Sequence, residues 1–115
     1  MDIKSKIVLI SGPTASGKSN FAVKLAKKLN GEIINADSMQ VYKQFKILTA
    51  RPSKIDQKNI KHHLYGIADV KTNFSTGHWL KLAIKKIHEI RRRKKIPILV
   101  GGTGLYFNSL VNGLV

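Results

Sequence analysis

Eight residues constrain the fold of this chain more than any other stretch: Gly12-Pro-Thr-Ala-Ser-Gly-Lys-Ser19. They satisfy G-x-x-x-x-G-K-[ST], and they sit where that pattern has meaning, after a short β-branched run (Lys6–Ser11) and at the start of an amphipathic stretch (Ser16–Leu29). Gly12 and Gly17 permit backbone conformations closed to residues with a Cβ, so successive N–H groups can turn inward toward phosphate oxygens. The helix that begins there adds its positive end. Lys18 supplies a mobile charge, and the Ser19 hydroxyl is a ligand for Mg²⁺. Gly12, Pro13, Thr14, Ala15, Ser16, Gly17, Lys18 and Ser19 therefore read as a phosphate-binding loop. The loop does not specify a reaction, because kinases, GTPases and some transferases share it.

The pattern around the loop is that of an α/β domain. Apolar residues at Phe21, Ala22, Leu25, Ala26 and Leu29 predict one buried helix face, with Lys24, Lys27 and Lys28 toward solvent. Asn30-Gly31 is a stop suited to a left-handed cap. Glu32–Asn35 predicts a second strand, with Asp37 just beyond its end. From Ser38 to Thr76 the signal is mixed and predicts loops with short elements, Val41, Phe45 and Ile47 giving some packing. A second amphipathic helix is predicted over Thr76–Arg93, with Leu80, Ala83, Ile84, Ile87 and Ile90 on one face. Ile96–Val100 predicts a third strand, Gly101–Gly104 a turn, and Leu105–Leu110 a short helix. Strand, helix, strand, excursion, helix, strand, helix implies a three-layer fold of the P-loop NTPase type with a mostly parallel sheet. Ligands of such sheets bind beyond the carboxyl ends of the strands, where the Gly12–Ser19 loop, Asp37 and Gly101–Gly104 all fall.

Charge narrows the partners. Lys and Arg number 21 against 6 acidic residues, a formal +15 over 115 residues. Such a field favours polyanions, nucleic acid above all. With no cysteine, disulfides and thiolate metal sites are excluded. No apolar stretch reaches the ~20 residues of a membrane span, and Ile7–Ile10 is too short for a signal peptide. A soluble, cytoplasmic protein is the expectation. His62-His63 does not read as a metal pair, since neighbours on extended chain point to opposite sides. Arg91-Arg-Arg-Lys-Lys95 ends a helix, where cations complement the dipole, and contact with a nucleic-acid backbone is its other reading.

Asp37 leaves three roles open on chemistry alone: a base toward a nucleophile, a carboxylate supporting a metal, or a helix cap. Motor and GTPase families usually end a later hydrophobic strand in an aspartate that holds Mg²⁺. Here Ile96–Val100 ends in Gly101-Gly102 without an acid, which argues against nucleotide hydrolysis. Ser38 and Gln40 can both donate and accept hydrogen bonds, as readers of a purine edge must.

The segments GPTASGKS (Gly12–Ser19), INADSMQVY (Ile34–Tyr42), TARP (Thr49–Pro52), HHL (His62–Leu64) and PILVGGTGLY (Pro97–Tyr106) together resemble the tRNA dimethylallyltransferase (tRNA isopentenyltransferase) family, in its N-terminal part. The resemblance implies a domain over 1–115 that binds dimethylallyl diphosphate. It also implies transfer of the dimethylallyl group to N6 of the adenosine adjacent to the anticodon of tRNA, with Mg²⁺. Carried over, Gly12–Ser19 would hold the diphosphate, with Ser19 toward the metal. Asp37 would be the general base, Ser38, Met39 and Gln40 would contact the flipped-out adenosine, and Thr103 would lie beside both substrates. Leu48 and Gly77-His78-Trp79 depart from the family pattern, the latter replacing an acidic start to the later helix.

Family members are more than twice as long, so the resemblance implies a truncated or split member. Its C-terminal half, with much of the tRNA grip, would be lacking or supplied by a second polypeptide, and the chain alone would bind diphosphate weakly with little or no transfer. A P-loop nucleotide kinase, an adenine-nucleotide prenyltransferase and a non-catalytic tRNA-binding fragment are the alternatives.

Overall fold

The computed structural model describes residues 6–12, 18–38, 41–42, 60–69, 71, 74–102 and 105–114. In chain order the elements are β1 (Val8–Ser11), α1 (Lys18–Leu29), β2 (Gly31–Asn35), β3 (His62–His63), α2 (Thr76–Arg92), β4 (Ile96–Gly101) and α3 (Leu105–Leu114). The strands form one sheet in the order β1-β4-β2-β3, and every pairing is parallel. β2 and β4 are buried along their whole length, as expected of parallel strands covered on both faces.

Alternation along the strands divides the core in two. Ile33, Ile98 and Val100 face α1, packing with Ala22, Val23 and Ala26. Ile34, Ala36 and Leu99 face the other way, against Trp79, Ala83, Ile87 and Ile90 of α2 and Tyr106 and Leu110 of α3. The result is helix, sheet, helix: the three-layer α/β fold implied by the sequence.

Two local features differ from the sequence-based expectation. Phe21, placed on the buried face of α1 by its spacing, is 57% exposed, and Val23 is buried instead. Small residues, Ala22 and Ala26, occupy the centre of the contact and bring the helix close to the sheet, leaving the large ring on its flank. The last helix runs on to Leu114. Within the mixed segment, His62-His63 forms a two-residue strand joined to β2, with the Ile33 N–H donating to the Lys61 carbonyl at 2.9 Å. Phe45 and Ile47 lie outside the described residues, whereas Val41 is fully buried.

Turns join the layers where the sequence permits. Asn30 takes φ 56° between α1 and β2, and Lys94 takes φ 61° between α2 and β4. Ser75 caps α2, its hydroxyl accepting the His78 N–H at 3.1 Å. Among the described residues no helix is long and apolar enough to cross a membrane.

Candidate functional site

Register brings the carboxyl ends of three strands level. Ser11 pairs with Gly101, and Asn35 pairs with Val100. Beyond these pairs the chain ends remain tied. The Gly12 N–H donates to the Gly101 carbonyl at 3.3 Å, and the Ala36 N–H to the Val100 carbonyl at 2.8 Å. The Ser11 hydroxyl donates to the Gly102 carbonyl at 2.9 Å. Gly12, Asp37 and Gly101-Gly102 are thereby gathered at the carboxyl end of the sheet.

Glycine is required at the centre of this arrangement. A Cβ on Gly101 would stand 2.7 Å from the Ala36 carbonyl oxygen, a separation that real structures do not tolerate. One on Gly102 would reach the Asp37 Oδ2 atom at 3.5 Å, ordinary contact distance, so hydrogen at that position leaves space directly beside the carboxylate.

Asp37 is 7% exposed, and its main chain is held on both sides. Its N–H donates to the Asn35 side-chain oxygen at 2.9 Å, while the Asn35 side-chain nitrogen donates to the Asp37 carbonyl at 3.0 Å and to the Leu64 carbonyl at 3.1 Å. The Trp79 indole N–H donates to the Asn35 main-chain carbonyl at 2.7 Å. Trp79 in turn stacks on Tyr106, with ring centroids 4.5 Å apart and 20° between planes. Burial pushes the Tyr106 phenol up to about 12, with neighbouring Tyr42 and Asp37 adding to the shift, so it remains protonated at neutral pH.

Of the residues singled out from sequence, Gly12, Asp37 and Ser38 are described around this end of the sheet, with Ser38 exposed. Lys18 and Ser19 begin α1. Pro13, Thr14, Ala15, Ser16, Gly17, Met39, Gln40 and Thr103 lie outside the described residues. Among the described residues no group of three or more His, Asp or Glu side chains gathers as a metal cage. His62 and His63 diverge: the His62 Nδ1 lies 2.7 Å from the Ile60 carbonyl, and the His63 Nε2 lies 2.7 Å from Glu32.

The family described as IPPT, IPP transferase, matches residues 40–115. The chain belongs to the IPP transferase family. A tRNA dimethylallyltransferase of Pelagibacter ubique is 76% identical over 115 residues, covering 100% of this chain and 37% of the relative. The crystal structure of the full-length tRNA isopentenylpyrophosphate transferase of Bacillus halodurans superposes with a TM-score of 0.88 at 46% identity, covering 94% of this chain and 36% of that one. A eukaryotic dimethylallyltransferase acting on tRNA superposes at 0.84 and 39% identity, covering 90% of this chain and 26% of that one. The chain thus spans little more than a third of the length of the curated relatives it matches.

Within this IPP transferase segment, sequence reasoning passed over Asn35, Trp79 and Tyr106. A polar residue closing an otherwise apolar buried strand was the available signal for Asn35, since a buried amide must find partners. Trp79 registered only as a departure from an acidic pattern, although it completes the buried series Trp79, Ala83, Ile87 and Ile90.

Proposed function

We propose that this chain is the diphosphate-binding and catalytic portion of a tRNA dimethylallyltransferase. One observation carries the reading: a buried carboxylate, Asp37, faces glycine-made space at the same strand ends where the phosphate loop begins. The family's tRNA-acting members supply the substrate class.

In this reading Gly12 to Ser19 hold the diphosphate of dimethylallyl diphosphate, with loop N–H groups and the Lys18 ammonium on its oxygens. The adenosine N6 attacks the allylic carbon. A new N–C bond forms, the C–O bond to the diphosphate breaks, and pyrophosphate departs with the bonding pair. Asp37 accepts the N6 proton, because an aromatic amine is a weak nucleophile unless its proton is removed as the bond forms. Ser38, Met39 and Gln40 contact the extruded base, and Thr103 lies beside both substrates.

The donor set suits Mg²⁺ rather than a metal needing a full protein cage. The Ser19 hydroxyl is a suitable oxygen donor by its chemistry, and this ion customarily takes phosphate oxygens and water for its remaining positions. Ser19 would hold it, and when bound it neutralises charge on the leaving pyrophosphate. The +15 formal charge supports a polyanionic partner, and tRNA as substrate implies a cytoplasmic setting.

The test is transfer of label from dimethylallyl diphosphate, with Mg²⁺, to tRNA or to AMP by the full-length protein. Label on tRNA, lost with Asp37→Asn, is the expected result. Label on AMP without tRNA points to a nucleotide transferase, and ATP turnover with neither points to a kinase; either would displace the reading.

A further inference from the structure

We propose that Asn35 is a positioning residue for Asp37, fixing the direction of its carboxylate through the main chain. The proposal rests on the reading of Asp37 as the base, but its geometric part stands independently.

Where β2 ends, the ladder stops supporting the chain. The Ala36 N–H still reaches Val100, and residue 37 lies one step beyond. Asn35 replaces the lost ladder. Its side-chain amide accepts the Asp37 N–H and donates to the Asp37 carbonyl, so both peptide groups bounding residue 37 are held by one fully buried side chain. A carboxylate has only two side-chain torsions of its own. With the main chain clamped on either side, those torsions are what remains to aim it, and it lies beside Gly102, with Oδ2 3.5 Å from where a Cβ on that residue would stand.

Asn35 is itself secured from two other elements. Its second N–H donates to the Leu64 carbonyl, and Leu64 takes φ 68°, an unfavourable backbone for a leucine and one that persists only where surroundings enforce it. Its main-chain carbonyl accepts the Trp79 indole N–H, which joins it to α2 and, through the Trp79–Tyr106 stack, to α3. A side chain serving packing alone would not need polar bonds both to the two sides of residue 37 and to the β3 exit.

The experiment compares wild type with Asn35→Ala, Asn35→Ser, Trp79→Phe and Asp37→Asn in the full-length protein. Amide hydrogen exchange at residue 37 is read alongside transfer kinetics. Asn35→Ala should speed exchange of the Asp37 amide about tenfold or more, the size of one lost buried hydrogen bond, while core amides of β4 stay protected. It should lower kcat about 10- to 100-fold, as small misplacements of reacting groups do, with KM for dimethylallyl diphosphate within about twofold. Asn35→Ser should restore part of both losses, since a hydroxyl can still accept the Asp37 N–H. Trp79→Phe deletes one N–H, keeps a ring for Tyr106, and should show a weaker form of the same change.

If Asn35→Ala does not fold, Asn35→Ser and Trp79→Phe carry the test. Wild-type exchange at Asp37 in both, or exchange raised equally throughout β4, overturns the proposal. Transfer that survives Asp37→Asn overturns the base reading instead, and the exchange result, which needs no turnover, then still decides whether Asn35 holds residue 37.

Discussion

Glu32 and Arg93, 61 residues apart in the chain, meet in a two-point ion pair, with Arg93 Nε on Oε2 at 2.8 Å and Nη2 on Oε1 at 2.6 Å. The carboxylate is buried, and His63 also bonds it at 2.7 Å. This cluster fastens the start of β2 to the end of α2 and to β3, at the opposite end of the sheet from Asp37. Removing one partner of a buried pair leaves the others uncompensated, so Glu32→Gln should destabilise the fold by about 2–4 kcal/mol, measured by urea unfolding at neutral pH.

The same cluster makes stability fall with acid. Burial alone would raise the Glu32 pKa, but the hydrogen bonds and charges of Arg93 and His63 outweigh it and hold the group at about 2, against an ordinary 4.5. A depressed carboxyl pKa contributes stability above the unfolded value and loses it as pH falls from 4.5 toward 2. Burial lowers the His63 pKa below 6.5, more than Glu32 raises it, so the unfolded chain takes up that proton first and the loss begins below 6.5. Unfolding free energy should therefore decline in two stages on acidification, and Glu32→Gln should flatten the lower one.

Charge should act unequally at the two ends of the sheet. α2 ends beside the start of β4, so exposed Arg92 and Lys94 lie away from the strand ends that carry Asp37. In the full-length protein, Lys18→Ala should abolish detectable transfer. Arg92→Ala with Lys94→Ala should leave KM for tRNA within about twofold and the logarithmic salt dependence of tRNA binding unchanged, where a phosphate contact at each would lower the slope by about one unit.

What the sequence made legible follows physical range. The loop context, β2, β4 and α2 were readable because a strand or helix of several residues repeats its apolar period. β3 was not, since two residues carry no period and their pairing depends on where Lys61 meets Ile33. Periodicity also misassigned Phe21, because the closeness of α1 to the sheet is set by Ala22 and Ala26 rather than by hydrophobicity. Asp37 and Gly101 were placed at the strand ends from local pattern alone. Asn35 escaped because its partners, Leu64 and Trp79, come from distant elements that only the folded chain brings together.

Trp79 is the single tryptophan, fully buried and stacked on Tyr106, so its emission reports directly on the joint between sheet and helix layer. Trp79→Ala should cost about 3–5 kcal/mol by circular-dichroism unfolding, a large part of a domain's usual margin of 5–15 kcal/mol. Tyr106→Phe keeps the stack and should leave stability within about 1 kcal/mol while altering the Trp79 emission only slightly.

The adjacent glycines should separate folding from chemistry. A methyl on Gly101 meets the Ala36 carbonyl oxygen at 2.7 Å and the Ala36 Cβ at 3.0 Å, atoms of a buried strand end that cannot swing aside. Gly101→Ala should therefore push β4 from β2, costing about 1–3 kcal/mol in thermal or urea unfolding. Among the described residues a methyl on Gly102 meets only the Asp37 carboxylate, at 3.5 Å and without overlap, so Gly102→Ala should unfold within about 0.5 kcal/mol of wild type. It fills the space in which an amine would approach that carboxylate. Gly102→Ala should accordingly lower transfer to tRNA at least about tenfold, as expected for displaced reacting groups. Wild-type turnover in Gly102→Ala would mean that substrate reaches Asp37 from another side.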